Sequence, residues 1–281
     1  MSVSELAEKD RRGPSVNQSD LLVRSASAAV LLALALGAAY LGGVVAGIVV
    51  AIFAVIVHLE WARITGATTA RTIPFAAAIA VATVLAGLGM VPAAIGVGIL
   101  AAIVAAGLSR EAWLPAGVVY AAALGISLLA IRVSSEYGLV ALLFVLAVVW
   151  ATDSGAFFFG RLIGGPKLWP RISPKKTWAG AIGGLVTALI AGIAAARVAG
   201  IPVTPGLVAV AAFLSVACQA GDLFESWVKR HFGAKDSGHI IPGHGGMMDR
   251  VDGLIFAAVA AVLLGAVHGG ANGIGRGILI W

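Results

Sequence analysis

What most constrains this chain is a succession of long apolar runs with almost no charge inside them. They fall at Ala26–Leu41, Gly43–Leu59, Ile73–Met90, Pro92–Leu108, Pro115–Ile131, Gly138–Phe159, Ala179–Ala199, Gly206–Leu223 and Val251–Val267. A helix needs roughly 20 apolar residues to cross the hydrocarbon of a bilayer. There the backbone must satisfy its own hydrogen bonds, which leaves helix bundles and closed barrels. The runs are continuous rather than alternating, which excludes barrel strands. Composition agrees: 60% of residues are hydrophobic and 11% charged, against about one quarter charged in a soluble domain. The expected fold is all-α, a polytopic transmembrane helix bundle of about nine spans.

Local chemistry supports this division. The first two runs are nearly continuous, and Tyr40-Leu41-Gly42-Gly43 is the natural hairpin between them. Pro92 and Pro115 stand at run starts, where a helix tolerates proline. Among 37 glycines, the cluster Gly180, Gly183 and Gly184 suits close approach of two helix backbones. Cys218 is the one cysteine, so no intramolecular disulfide can form. Its apolar neighbours favour a buried, inert thiol over a reactive one.

Charge sets the orientation. With the N-terminus inside, the inner segments carry Lys9, Arg11, Arg12, Arg24, Arg63, Arg71, Arg110, Arg161, Lys167, Arg171, Lys175, Lys176, Lys229, Arg230, Lys235 and Arg250. The outer segments carry only Arg132, Arg197 and Arg276 of the 19 basic residues. The positive-inside rule then gives an N-in, C-out topology. The expected division is a cytoplasmic tail over 1–24, N-terminal transmembrane helices over 25–150 and a C-terminal catalytic region over 151–281. The tail lacks the layout of a cleaved signal. The two longest polar insertions, Arg161–Trp178 and Lys229–Arg250, both fall on the cytoplasmic side, where nucleotides are. No internal repeat is visible, which weakens an inverted-repeat transporter reading.

Four polar groups interrupt or border the runs. Asp153 stands in Ala151-Thr-Asp-Ser-Gly, within an otherwise apolar helix. An acid at membrane depth defaults to function, the alternative being a structural partner for a base such as Arg161. Ser173-Pro-Lys-Lys-Thr177 has two cations and two hydroxyls just before a helix start, where free N–H groups suit an anion. It could equally be a basic turn on lipid headgroups. Asp222, Glu225, Ser226 and Lys229 share one helical face. They offer either a metal-facing stripe or an internal ladder of ion pairs. Asp249 and Asp252 open the last run behind His244-Gly-Gly. Their hard oxygens suit Mg²⁺, though acids there could simply favour the positive end of a helix.

The chain resembles the phosphatidate cytidylyltransferase (CDP-diacylglycerol synthase) family in Ser226-x-x-Lys229-Arg230, Lys235-Asp236-x-Gly238 and Ile241-Pro242-x-His244-Gly245-Gly246-x-x-Asp249-Arg250-x-Asp252. These motifs run across 27 residues with every fixed position filled. The Asp153-Ser-Gly-Ala-Phe and Ser173-Pro-Lys-Lys-Thr stretches resemble it too, so the likeness is specific over roughly Trp150–Gly253. One departure is Ala179, where the family often has Glu or Gln. The resemblance implies Mg²⁺-dependent transfer of CMP from CTP to phosphatidic acid, releasing pyrophosphate. It implies a metal centre on Asp222 and Asp249, with room for a second cation such as K⁺, and a homodimer. The expected catalytic set is Asp222, Asp249, Lys229, Ser226 and Asp252. The expected substrate-binding set is Asp153, Ser173, Lys175, Lys176, Thr177, Arg230, Lys235, His244 and Arg250.

Acids able to hold a cation, cations able to hold phosphates and a lipid-facing scaffold favour phosphoryl or nucleotidyl transfer to a membrane lipid. The expected setting is a bacterial-type inner membrane with the site facing the cytoplasm, and no nucleic-acid partner. Two other readings compete: a CTP-dependent lipid kinase, and a membrane transporter.

Overall fold

The computed structural model describes residues 18–109, 111–238, 240 and 245–281, with only the backbone described for 18–24, 69 and 70. Ten helices and one small hairpin follow in order: α1 (Gln18–Leu41), α2 (Gly43–Thr65), α3 (Thr69–Gly87), α4 (Val91–Leu108), α5 (Trp113–Arg132), α6 (Gly138–Ile163), β1 (Lys167–Trp169), β2 (Ser173–Thr177), α7 (Trp178–Val198), α8 (Pro205–His231), α9 (Met248–Gly269) and α10 (Ile274–Leu279). Helices α2 and α4–α9 are seven helices long and apolar enough to cross a membrane. Ser25–Leu41 and Arg71–Gly87 are shorter apolar helices. Each of the nine expected runs thus falls mainly within one helix, and seven of the helices qualify as spans. Such a set of helices suits a multi-pass membrane protein.

The helix ends follow local chemistry. Gly42, at φ 64, breaks the backbone between α1 and α2 where the hairpin was expected. Gly66 closes α2 in the left-handed conformation that favours glycine. Thr177 and Thr204 cap α7 and α8, their hydroxyl oxygens accepting from Gly180 N at 3.1 Å and Leu207 N at 3.2 Å.

The glycine cluster packs as expected. A methyl group on Gly180 would lie 2.7 Å from the Ala156 carbonyl oxygen, and one on Gly184 would lie 2.8 Å from that of Thr152. Only glycine lets α6 and α7 come this close. Hydroxyls tie the same region: Thr187 Oγ1 donates to Ala151 O at 2.8 Å, and Thr152 Oγ1 to Ser215 Oγ at 2.9 Å. Rings join α2, α5 and α8, with Trp61 5.1 Å from Tyr120 and 6.2 Å from Phe224. Trp61 Nε1 also donates to Trp113 O at 2.8 Å.

Contacts define two ends of the bundle. At one end Arg132 donates to the carbonyl oxygens of Ala39 and Tyr40, Ser134 Oγ accepts from Gly275 N, and Glu136 faces Arg276. The hairpin, Trp113 and the Lys229–Asp249 region lie toward the other. The hairpin itself departs from a purely helical expectation. Lys167 pairs with Thr177 and Trp169 with Ser173, antiparallel. Pro170 and Pro174 interrupt helix formation in this insertion, and the short ladder satisfies backbone groups that a helix would otherwise pair.

Candidate active site

Helices α8 and α9 bring the acids together because small residues let them touch. A methyl on Gly221 would lie 2.6 Å from the Asp252 carbonyl oxygen, and one on Gly253 would lie 2.6 Å from Cys218 Sγ. Asp222 is adjacent to Gly221 in sequence, and Asp252 to Gly253. Cys218 is fully buried, and its thiol lies 3.5 Å from Asp153 Oδ1 of α6. Buried against an acid, it fits the inert reading.

Two cavities meet at these acids. The first, about 590 Å³, is walled by apolar side chains of α1, α2, α5 and α6, among them Leu31, Phe53, Leu128 and Leu146. Asp153, Asp222, Asp249, Arg250 and Asp252 line it, as does Arg132. Asp153 sits 15 residues along α6 from Gly138, about 22 Å at 1.5 Å per residue. Arg132 and these acids therefore lie toward opposite ends of the cavity. The second cavity, about 560 Å³, is lined by Arg161, Lys167, Lys175, Lys176, Thr177 and Gly180. Asp153 and Asp222 line both cavities. An apolar chamber and a cationic chamber thus share a wall of carboxylates. The first turn of α7 contributes to the cationic side, where a helix start favours anions.

The acids already hold cations. Lys176 Nζ of β2 lies 2.5 Å from Asp222 Oδ1. Lys229 Nζ lies 2.5 Å from both Glu225 Oε2 and Asp249 Oδ1. The Glu225–Lys229 pair is the i, i+4 ladder foreseen as the plainer alternative for α8. The second Asp249 oxygen accepts from Ser237 N at 3.1 Å, Ser237 Oγ at 2.8 Å and Gly246 N at 3.3 Å. Three donors and an ammonium hold this carboxylate in one orientation.

The expected residues divide accordingly. Asp153, Lys175, Lys176, Thr177, Asp222, Asp249, Arg250 and Asp252 line one cavity or both. Thr177 also spends its hydroxyl oxygen capping α7. Lys229 joins the group through Asp249. Ser173, Ser226, Arg230 and Lys235 line neither cavity, and Arg230 instead donates to Ala234 O at 3.2 Å. His244 lies outside the described residues. Asp153 forms no ion pair with Arg161 among the described residues; both line the cationic cavity. Sequence reasoning missed Gln219 on that cavity and did not assign Arg161 and Lys167 to it. It also missed Glu60 of α2, buried to 3% exposure behind Asp249. An acid ending one of the most apolar runs was the signal available for Glu60.

Asp222 and Asp249 are hard-oxygen donors on facing helices, and each already accepts an ammonium at 2.5 Å. No cluster of three or more His, Cys, Asp or Glu forms a protein-only metal cage among the described residues. Two carboxylates without further protein ligands fit Mg²⁺ as it is commonly held, with substrate phosphates completing the shell.

A phosphatidate cytidylyltransferase of Brucella suis biovar 1 (strain 1330) is 50% identical over 159 residues, 57% of this chain and 59% of the relative. One of Bacillus subtilis (strain 168) is 48% identical over 127 residues, 45% of this chain and 47% of the relative. One of Staphylococcus saprophyticus subsp. saprophyticus is 46% identical over 133 residues, 47% of this chain and 51% of the relative. Each match spans less than two thirds of the relative's length. The model of the cytidylyltransferase family, however, matches residues 22–268, the hairpin, both cavities and all four acids included, and the chain belongs to that family.

Proposed function

We propose that this chain transfers CMP from CTP to phosphatidic acid, giving CDP-diacylglycerol and pyrophosphate. The observation that carries the reading is the carboxylate wall shared by an apolar and a cationic chamber. A nucleotidyltransferase acting on a lipid needs both chambers at one point. Acyl chains fill the space between α1, α2, α5 and α6, with the lipid phosphate toward Arg250. The triphosphate lies against Arg161, Lys167, Lys175 and Lys176. The relatives named above carry the same activity in their names.

Magnesium on Asp222 and Asp249 supplies charge neutralisation at the phosphates when bound. The remaining work falls to the chain. Lys176 and Lys229 exchange their carboxylate partners for phosphate oxygens, reducing repulsion between two polyanions. The apolar chamber fixes the lipid, so its ionised phosphate oxygen faces the α-phosphorus of CTP. A bond from that oxygen to the α-phosphorus forms as the bond to the β-phosphate bridging oxygen breaks, and pyrophosphate leaves. Alignment of this kind contributes about 7–11 kcal/mol in well-oriented cases. CTP labelled at the α-phosphorus is the test. Label in the lipid supports the reading, label left in CDP indicates a kinase, and no turnover removes the enzyme reading. With chiral label at that phosphorus, inversion fits one direct displacement, and retention overturns it.

The same proposal places nine spans N-in and C-out in a bacterial-type inner membrane, with the cationic chamber facing the cytoplasm. Its support is the segregation of basic residues. Single cysteines near Ser173 and near Thr204, in a Cys218→Ala background, are expected to label from opposite sides. Labelling of both from one side overturns the topology.

A further inference from the structure

Helix α9 starts without a cap of its own. Its N-cap residue, Met247, makes no capping side-chain hydrogen bond. The first N–H groups of a helix have no intrahelical partner, and here those of Met247 and Met248 are buried. Both donate to one carboxylate from far away in the chain. Met247 N reaches Glu60 Oε1 at 3.0 Å, and Met248 N reaches Glu60 Oε2 at 2.7 Å. The partners lie 187 and 188 residues apart in sequence. A negative charge at this point also suits the positive end of the helix.

Glu60 reaches further. Ser237 Oγ lies 3.2 Å from Glu60 Oε2 and 2.8 Å from Asp249 Oδ2. A hydroxyl has one hydrogen to donate, so Ser237 Oγ donates to one carboxylate at a time and stands between the two. Arg63, one turn on from Glu60 and on the same face, donates to the Ser237 carbonyl oxygen. Gly246 packs on the same carboxylate, for a methyl there would lie 2.9 Å from Glu60 Oε2. A methyl on Gly238 would lie closer still to Glu60 Oε1, so Gly238 and Gly246 both answer to a side chain on α2.

We propose that Glu60 is a positioning residue: its carboxylate caps α9 from α2 and, through Ser237, sets the place and orientation of Asp249. This rests on the proposed reaction for its catalytic consequence, but not for its geometry. Among the 4 methionines of the chain, Met247 and Met248 report the cap directly and Met90 serves as a control. The experiment is amide NMR on the full-length protein with [¹⁵N]methionine, together with turnover to CDP-diacylglycerol. Glu60→Gln is expected to move the Met247 and Met248 signals and leave Met90 in place. Turnover at saturating CTP is expected to fall by about tenfold to a hundredfold, the scale of a small misplacement at a reacting centre. Half-saturating CTP should change little, because the cationic cavity is untouched. Glu60→Asp, which keeps the charge and is one methylene shorter, carries the same test if the amide fails to fold. The losses from Glu60→Gln and Ser237→Ala are expected to be non-additive in free energy, as for residues in one network. Unmoved Met247 and Met248 signals, wild-type turnover in the variants, or fully additive losses would overturn the proposal. An inactive wild-type protein would instead count against the reaction, and the methionine signals would still decide the cap.

Discussion

The two halves of the bundle contribute different things to one site. Helices α6–α9 and the hairpin present the charged groups: Asp153, Lys176, Asp222, Lys229, Asp249 and Asp252 all belong to this half. Helices α1–α5 present most of the walls of the apolar chamber, Arg132 at its far end, and the buried Glu60. The half that presents the charged groups is thus held and lined by a half that looks, for most of its residues, like ordinary membrane helix. A site of this kind is described by its chemical groups only in part, because the surfaces that hold substrate and orient those groups come from elsewhere.

The sharpest way to test this division is to remove a charge from the chemical half. Asp249→Asn keeps the size and removes the charge. Activity is expected to fall by roughly 100- to 1000-fold, the range for losing one electrostatic contact to a transition state, while the protein still inserts in the membrane. Lipid-product formation in isolated membranes measures it, and near-normal turnover at low Mg²⁺ would remove Asp249 from the site.

A smaller effect is expected from the cationic chamber. Lys175→Ala and Arg161→Ala should each raise the half-saturating CTP concentration by about tenfold, taking a charge-assisted contact at about 1.5 kcal/mol, with lipid affinity unchanged. Initial rates at varied CTP and fixed phosphatidic acid separate the two. If lipid affinity moved instead, the assignment of the two chambers would be reversed.

The other half makes the opposite prediction. Leu128→Trp narrows the apolar cavity without touching a charge. The half-saturating lipid concentration should rise about fivefold, the low end of an overpacking cost of about 1–3 kcal/mol in a cavity with room to adjust, with that for CTP unaffected. Varied lipid in mixed micelles is the measurement. The smallest effect is expected at Ser226 and Arg230, which line neither cavity. Ser226→Ala should leave turnover within about twofold of wild type, as changes away from such features usually do. A large loss would place Ser226 in the site.

The same division explains what the sequence made legible. Helix existence followed from apolar length, since hydrocarbon leaves the backbone few options. Asp153 and Asp222 stood out because charge at membrane depth is costly, and Asp249 because paired acids at a helix start suit Mg²⁺. Ser226 and Arg230 shared their motif but not the cavities, because a motif records neighbours in sequence, while the two cavities reach along α8 only as far as Asp222. The hairpin escaped notice because Lys167–Trp169 and Ser173–Thr177 are too short and too charged to carry a strand pattern. Glu60 escaped because its partners lie almost the whole chain away, and nothing local announces a contact across 187 residues.

That distance bears on the order in which the molecule is built. A chain made from its N-terminus has α2, and with it the Glu60 carboxylate, long before Met247 and Met248 exist. For most of synthesis the carboxylate has no helix start to receive, and the late contact must close a very long loop. Loop-closure entropy grows only slowly with length, but such non-local contacts are slow to form. Asp249 and Asp252 therefore join Asp153 and Asp222 only once α9 has been made. Until α9 docks, the growing chain carries Asp153 and Asp222 without Asp249 and Asp252, and the set of four acids is incomplete.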